Sequence, residues 1–189
     1  MQGLMQSRPL MISSFIAHAA RHHGAGEVVS RLADGTLHRT SYAQVELRAR
    51  RLVRVLEGLG IGFGDMVGTL AWNNVRHLEL YYAASGMGAV CHTVNPRLAP
   101  DDIAFVINDG DDRVLFTELD FVPLVRGLLA RVPSVRAVVV LCDPQELPDL
   151  APPPGVAVWS YEALMAAADP APGWPEFDEN TASLLCHTS

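Results

Sequence analysis

Residues 66–98, MVGTLAWNNVRHLELYYAASGMGAVCHTVNPRL, read as strand, helix, strand. An apolar run (Val67, Thr69, Leu70, Ala71) stops at Trp72-Asn73-Asn74, where an asparagine side chain can accept hydrogen bonds from the first free N–H groups of a helix. That helix runs to the glycines at 86 and 88. Its apolar positions, Val75, Leu78, Leu80, Tyr81, Tyr82, Ala83 and Ala84, lie almost all round it, so other layers must cover it on more than one side. A second apolar run, residues 89–94, follows within a few residues and Asn95-Pro96 ends it. Two strands joined by a crossover helix pair in parallel, and such sheets sit inside α/β proteins. The expected fold class is α/β.

Toward the N-terminus, Ser41 followed three residues later by Gln44 fits a capping box. It opens a helix with Val45, Ala49, Leu52, Val53 and Leu56 on its buried stripe and Arg48, Arg51, Arg54 and Glu57 outside. Before it, residues 27–32 and 36–40 flank Asp34-Gly35 and predict a small antiparallel hairpin. Residues 10–23 place Ile12, Phe15, Ile16, Ala19 and Ala20 at helical spacing, with Ser13, Ser14, His18 and Arg21 facing away. Arg8-Pro9 and the LMISSFIAHAA after it imitate an export signal, but Ser13 and Ser14 break the apolar part, and the amphipathic helix is the better reading.

Toward the C-terminus, Pro100, Asp101 and Asp102 suit a helix start, and the helix covers residues 100–108. Strand, helix and strand follow over 113–117, 121–129 and 137–142, the last so apolar that both its faces must be covered. Residues 143–182 are rich in proline (148, 152–154, 170, 172, 175) and bracket a brief strand (156–159) and a helix (161–168), so they predict connections that run over the surface. Residues 181–187 then begin another apolar strand, which delivers Thr188 and Ser189 to its end.

A chain of 189 residues suits one domain, burying roughly 70% of its unfolded surface. The formal charge of -7 argues against a nucleic-acid partner, because that affinity rests on clustered cations. All 14 basic residues are arginine and none is lysine. Cys91, Cys142 and Cys186 are odd in number and far apart, as buried, reduced thiols of a cytoplasmic protein would be. No run approaches the roughly 18 apolar residues of a membrane span.

Several patterns imitate sites. The glycines at 58, 60, 62 and 64 lie where a helix ends and a strand begins, the reverse of the order a dinucleotide fingerprint needs. His18 and His22 have the i, i+4 spacing of zinc ligands, yet Ala19 stands where HExxH needs glutamate. In Cys91-His92 and Cys186-His187 the neighbours point to opposite faces of a strand, so neither dipeptide is a dyad by itself, and a site across two strands stays open. The arginines at 48–54 read as a solvated helix face, and Asp109, Asp111 and Asp112 as turn formers. A buried strand that ends in two hydroxyl residues, Thr188 and Ser189, is how many phosphate loops begin.

The segments RTSYAQVELRARRLVRVLEGLGIGFGD, AWNNVRHLELYYAASGMGAVCHTVNPRLAPDDIAFVINDGDDRVLF and WPEFDENTASLLCHTS closely resemble the N-terminal region of AMP-forming fatty acyl-CoA synthetases. These are adenylate-forming enzymes, akin to luciferase and peptide-synthetase adenylation domains. The likeness is greatest to medium- and long-chain fatty acid ligases and methylmercaptopropionate-CoA ligases. It implies a single partial domain over 1–189, the incomplete N-terminal part of the large domain, with a mixed, mostly parallel sheet flanked by helices. It further implies ATP, Mg²⁺, coenzyme A and a fatty or other carboxylic acid as partners, and a homodimer in the full-length form. Thr188 and Ser189 match the first hydroxyl positions of the ATP phosphate loop. The lysines of the family's loop and late catalytic site have no counterpart in this chain, so it is expected to be inactive alone, with its last strand leaving an edge and apolar side chains uncovered. A non-catalytic α/β module that binds a partner or self-associates is the alternative.

Overall fold

The computed structural model describes residues 3–5, 7–32 and 35–188. Helix α1 (Ile12–His23) leads into the antiparallel ribbon β1 (Glu27–Arg31) and β2 (Leu37–Ser41). The expected turn residue Asp34 lies outside the described residues. Ser41 then caps α2 (Tyr42–Gly58), its hydroxyl accepting from the Gln44 N–H at 3.3 Å.

The chain next alternates strand and helix: β3 (Met66–Leu70), α3 (Val75–Met87), β4 (Val90–Thr93), α4 (Pro100–Asp109), β5 (Val114–Thr117), α5 (Val122–Leu128), β6 (Ala137–Val140), β7 (Ala157–Ser160), α6 (Tyr161–Ala167) and β8 (Leu184–Cys186). Asn74 caps α3 as its position suggests, accepting from the N–H groups of Arg76 and His77. Gly88 closes that helix at φ 86°, a left-handed value that glycine adopts without a Cβ clash. The six strands stand in the order β7-β6-β5-β3-β4-β8, and each neighbouring pair is parallel. The expected mostly parallel sheet with a small separate hairpin is therefore what the chain builds.

Alternation along the strands divides the core in two. Val67, Cys91, Val114, Phe116 and Val139 face α2, α3 and α6, while Leu70, Leu115, Val138 and Val140 face α4 and α5. Every residue of β6 is buried, which explains its unbroken apolar run.

Helix α1 departs from its sequence reading. Ser13, expected to face away, is 2% exposed, and Phe15 is 59% exposed. The reason is close packing: a Cβ on Gly86 of α3 would stand 3.3 Å from the Ser13 Cβ and 2.4 Å from Trp174. Small residues let α1, α3 and the Trp174 indole converge there, so the buried stripe turns toward Ser13 and Ile16.

The proline-rich connection between α6 and β8 is fastened to α2. The Ala171 N–H donates to Arg50 O at 3.0 Å, the Arg50 guanidinium donates back to Ala171 O at 2.6 Å, and the Trp174 N–H donates to Glu46. This strap carries the chain from the β7 edge across α2 and α3 to the opposite edge, where, among the described residues, β8 pairs with β4 alone. Leu184 of β8 is 43% exposed, in keeping with the expected uncovered last strand.

Candidate functional site

Open parallel sheets bind ligands beyond the carboxyl ends of their strands. Thr188 stands there: it is separated from the end of β8 by one residue, His187, and is exposed, so its hydroxyl is accessible. Ser189 lies outside the described residues. Three contacts seat the strand before them. The Ser85 hydroxyl donates to Ser183 O at 3.0 Å, the Cys91 N–H donates to the same carbonyl, and Thr93 Oγ1 and Cys186 Sγ lie 3.0 Å apart.

A fourth contact draws on the two Cys-His dipeptides, whose histidines meet across β4 and β8. His92 Nε2 lies 3.0 Å from His187 Nδ1, with the ring centroids 5.0 Å apart. On its other side His92 Nδ1 lies 2.9 Å from both carboxylate oxygens of Asp112, and His187 Nε2 lies 3.0 Å from Asp109 Oδ2. Four side chains, Asp112, His92, His187 and Asp109, thus form one file from a fully buried carboxylate to a surface one. Burial raises the Asp112 carboxyl above its usual range, and the hydrogen bond and charge of His92 pull it back. Burial pushes the neighbouring Cys91 thiol up to about 12, with Cys186 and Asp112 adding to it, so Cys91 is no thiolate nucleophile.

Two glycines make room for this file. A Cβ on Gly68, in the middle of β3, would lie 2.6 Å from Asp112 Oδ2, and one on Gly110 would lie 2.6 Å from His92 Nδ1. Glycine inside a strand is normally a loss of about 0.5–1 kcal/mol relative to alanine. Here the displacement of a pinned carboxylate outweighs that, at about 1–3 kcal/mol. Gly68→Ala is therefore expected to destabilise the chain in urea melts; a variant as stable as the parent would show that Asp112 yields freely.

The crevice between β3 and β5, where the chain's connections change direction, is lined by Asn74, Arg76, Glu118 and Asp143. Glu118 is buried, accepts from the Asn74 amide at 2.6 Å, and has its pKa raised by burial. Among the described residues no group of three or more His, Cys, Asp or Glu has an arrangement suited to a metal ion. At the end of α1 the His18 ring lies tilted against those of His22 and His23, with centroids 4.5 and 6.0 Å away.

The arginine face of α2 and the aspartate turn need correction. Arg48 is not a solvated cation: its guanidinium donates to Glu79 at 2.7 Å and to Glu162 at 3.0 Å, because α3 and α6 pack over that side of α2. Asp112 is no mere turn former, since its fully buried carboxylate holds His92. What sequence reading lacked in both cases was the order of strands and helices in space. One local signal did exist, Gly68 inside an apolar strand, which marks a close approach by another group.

A family model described as AMP-binding enzyme matches residues 15–189. The chain belongs to this family. It is 48% identical over 189 residues to a 3-methylmercaptopropionyl-CoA ligase of Ruegeria lacuscaerulensis and 43% identical over 189 residues to a medium-chain-fatty-acid–CoA ligase of Ectopseudomonas oleovorans. Both matches cover 100% of the chain and 34% of the relative. The chain thus spans about a third of the length of these curated relatives. Its fold matches that of the anthranilate CoA ligase AuaEII, solved in complex with anthranoyl-AMP, with a TM-score of 0.79 at 19% identity over 100% of this chain and 34% of that one.

Proposed function

We propose that the chain is the N-terminal segment of an AMP-forming acid–CoA ligase, a single partial domain over 1–189. The observation that carries this reading is the 48% identity to an acid–CoA ligase along the whole chain. The position of Thr188 at the carboxyl end of a parallel strand supports it, since an exposed hydroxyl there can donate to a phosphate oxygen. Thr188 and Ser189 accordingly begin the ATP phosphate loop. ATP supplies the chemistry by turning a carboxylate into an acyl-adenylate and pyrophosphate, after which the coenzyme A thiol displaces AMP. Mg²⁺ accompanies the phosphates and offsets their charge.

The acid is a fatty or similar carboxylic acid, and the working ligase is a cytoplasmic homodimer. The free thiols Cys91, Cys142 and Cys186 suit a reducing compartment. Among the described residues no helix is long and apolar enough to cross a membrane. With no lysine, this segment lacks the loop and late lysines that the reading calls for, so it is expected to be inactive alone.

The test joins gene and assay. The coding sequence past Ser189 is expected to continue into a glycine-rich loop ending Pro-Lys-Gly. The protein carrying that loop is expected to catalyse acid-dependent exchange of pyrophosphate into ATP, and the 189-residue chain to catalyse none. A stop codon after Ser189 in a folded, secreted or partner-bound product would overturn the reading in favour of a non-catalytic module.

A further inference from the structure

The file of Asp112, His92, His187 and Asp109 has a proton requirement that follows from its geometry. Its three hydrogen bonds each need one proton, and an ionised carboxylate at either end can only accept. A neutral imidazole carries one proton and an imidazolium two. The file is therefore complete only when it holds one proton more than two neutral rings supply, carried by the histidine pair or by the buried Asp112 carboxyl. With both rings neutral, Asp112 keeps the His92 Nδ1 proton and His92 Nε2 accepts from His187 Nδ1. His187 Nε2 then turns a bare lone pair toward the Asp109 carboxylate. The outer contact is lost, or the ring turns and the contact to His92 is lost instead.

The titratable groups around the pair are Asp112 at the approach to β5, with Asp111 beside it, Asp109 at the end of α4, and Cys186 next to His187 in the chain. No arginine is ion-paired to Asp109, Asp111 or Asp112 among the described residues. Gly68 and Gly110 leave the buried half of the file no slack, since a Cβ at either would strike it. Thr188 is the residue joined by peptide bond to His187.

We propose that Asp112, His92 and Asp109 are positioning residues: through one shared proton they hold the His187 ring, and with it the backbone that presents Thr188. Removing that proton breaks one bond of the file and loosens its hold on the His187 ring. The bearing of this on phosphate rests on the phosphate-loop reading above.

Amide substitution gives a sharp test, because an amide can donate where a carboxylate cannot. In Asp109→Asn the new N–H donates to His187 Nε2, so all three bonds persist with both rings neutral. The residue is a surface one, so the variant folds. In Asp112→Asn the buried amide can donate to His92 Nδ1, which reverses the direction of every bond and again removes the need for the extra proton. The measurement is a pH titration of the 189-residue chain by NMR, following the histidine ring nitrogens and the Thr188 backbone amide. In the parent chain the His92 and His187 rings and the Thr188 amide are expected to titrate together, and in Asp109→Asn the pH-linked shift of the Thr188 amide is expected to be lost. A Thr188 amide that does not follow the rings, or that titrates unchanged in Asp109→Asn, overturns the proposal. An ATP titration of the longer protein, with and without the same substitution, judges the phosphate-loop reading separately. Coupled resonances with ATP affinity flat across the titration would sink that reading and leave the positioning role standing.

Discussion

Arg48→Met is expected to lower the unfolding free energy at neutral pH by about 3–5 kcal/mol, the usual consequence of stripping the partner from a buried charge. The charge left behind is Glu79, 1% exposed, which accepts from the Arg48 Nε–H at 2.7 Å and from the Tyr161 hydroxyl at 2.6 Å. Arg48 also reaches Glu162 and lies 5.8 Å from the centre of the fully buried Tyr161 ring, so one side chain ties α2 to α3 and α6. Burial already raises the Glu79 pKa, and the charge and hydrogen bond of Arg48 oppose that rise. Without Arg48 the carboxyl escapes its isolation by binding a proton, so the deficit should shrink as the pH falls. Chemical denaturation at two pH values checks this, and the double variant Arg48→Met, Glu79→Leu should recover most of the loss because it removes both charges. A deficit below about 1 kcal/mol, typical of an exposed arginine, would contradict the network.

Acid should weaken the fold through His77. This residue of α3 is 4% exposed, and its Nε2 lies 3.0 Å from the Thr69 hydroxyl, which itself donates to His92 O at 3.2 Å. The hydroxyl proton being committed, the ring must donate and is neutral with its proton on Nε2. Burial lowers its pKa from 6.5 to about 4, outweighing the effect of the Trp72 backbone, which raises it. Above pH 6.5 neither folded nor unfolded chain is protonated here, and the group costs nothing. Between 6.5 and about 4 the unfolded chain takes up a proton that the folded one refuses, so stability falls with falling pH. Each pH unit of that window is worth about 1.4 kcal/mol, giving a loss on the order of 3 kcal/mol at the acid end. Glu79, Asp112 and Glu118, whose pKa values burial raises, act with the opposite sign in the range above their usual values. The clean readout is therefore a difference. His77→Gln keeps a donor for Thr69, and the stability gap between it and the parent should move in its favour by on the order of 3 kcal/mol from pH 7 to pH 4. Parallel curves would show that His77 is not the titrating group.

Much of the architecture is legible in the chain because local and long-range preferences agree. The Asn74 cap, the Ser41 cap, the α2 stripe from Val45 to Leu56 and the unbroken apolar β6 each carry their own physical reason, and each holds in the fold. Around the end of β8 little could be read locally. Its supports come from distant segments: His92 and His187 are 95 residues apart, and Arg48 and Glu162 are 114 apart. Periodicity places a side chain on a face of its own element and carries no information about which strand lies alongside. For α1 the stripe itself misleads, because Ser13 and Gly86 win the interface by being small, a choice that hydrophobicity patterns do not register.

The strap fastened at Ala171 and Trp174 has a kinetic consequence. Closing a loop costs more entropy the longer it is, and contacts between distant residues slow folding. Strand β8 pairs with β4 across almost half the chain, which by itself would make it a late and hesitant arrival. Once Trp174 has docked beside Gly86, only a short tether separates it from Ser183, and the search for the β4 edge becomes local. The order of assembly is then sheet, strap, strand, and the residue that presents Thr188 is set in place last, on a foundation already finished.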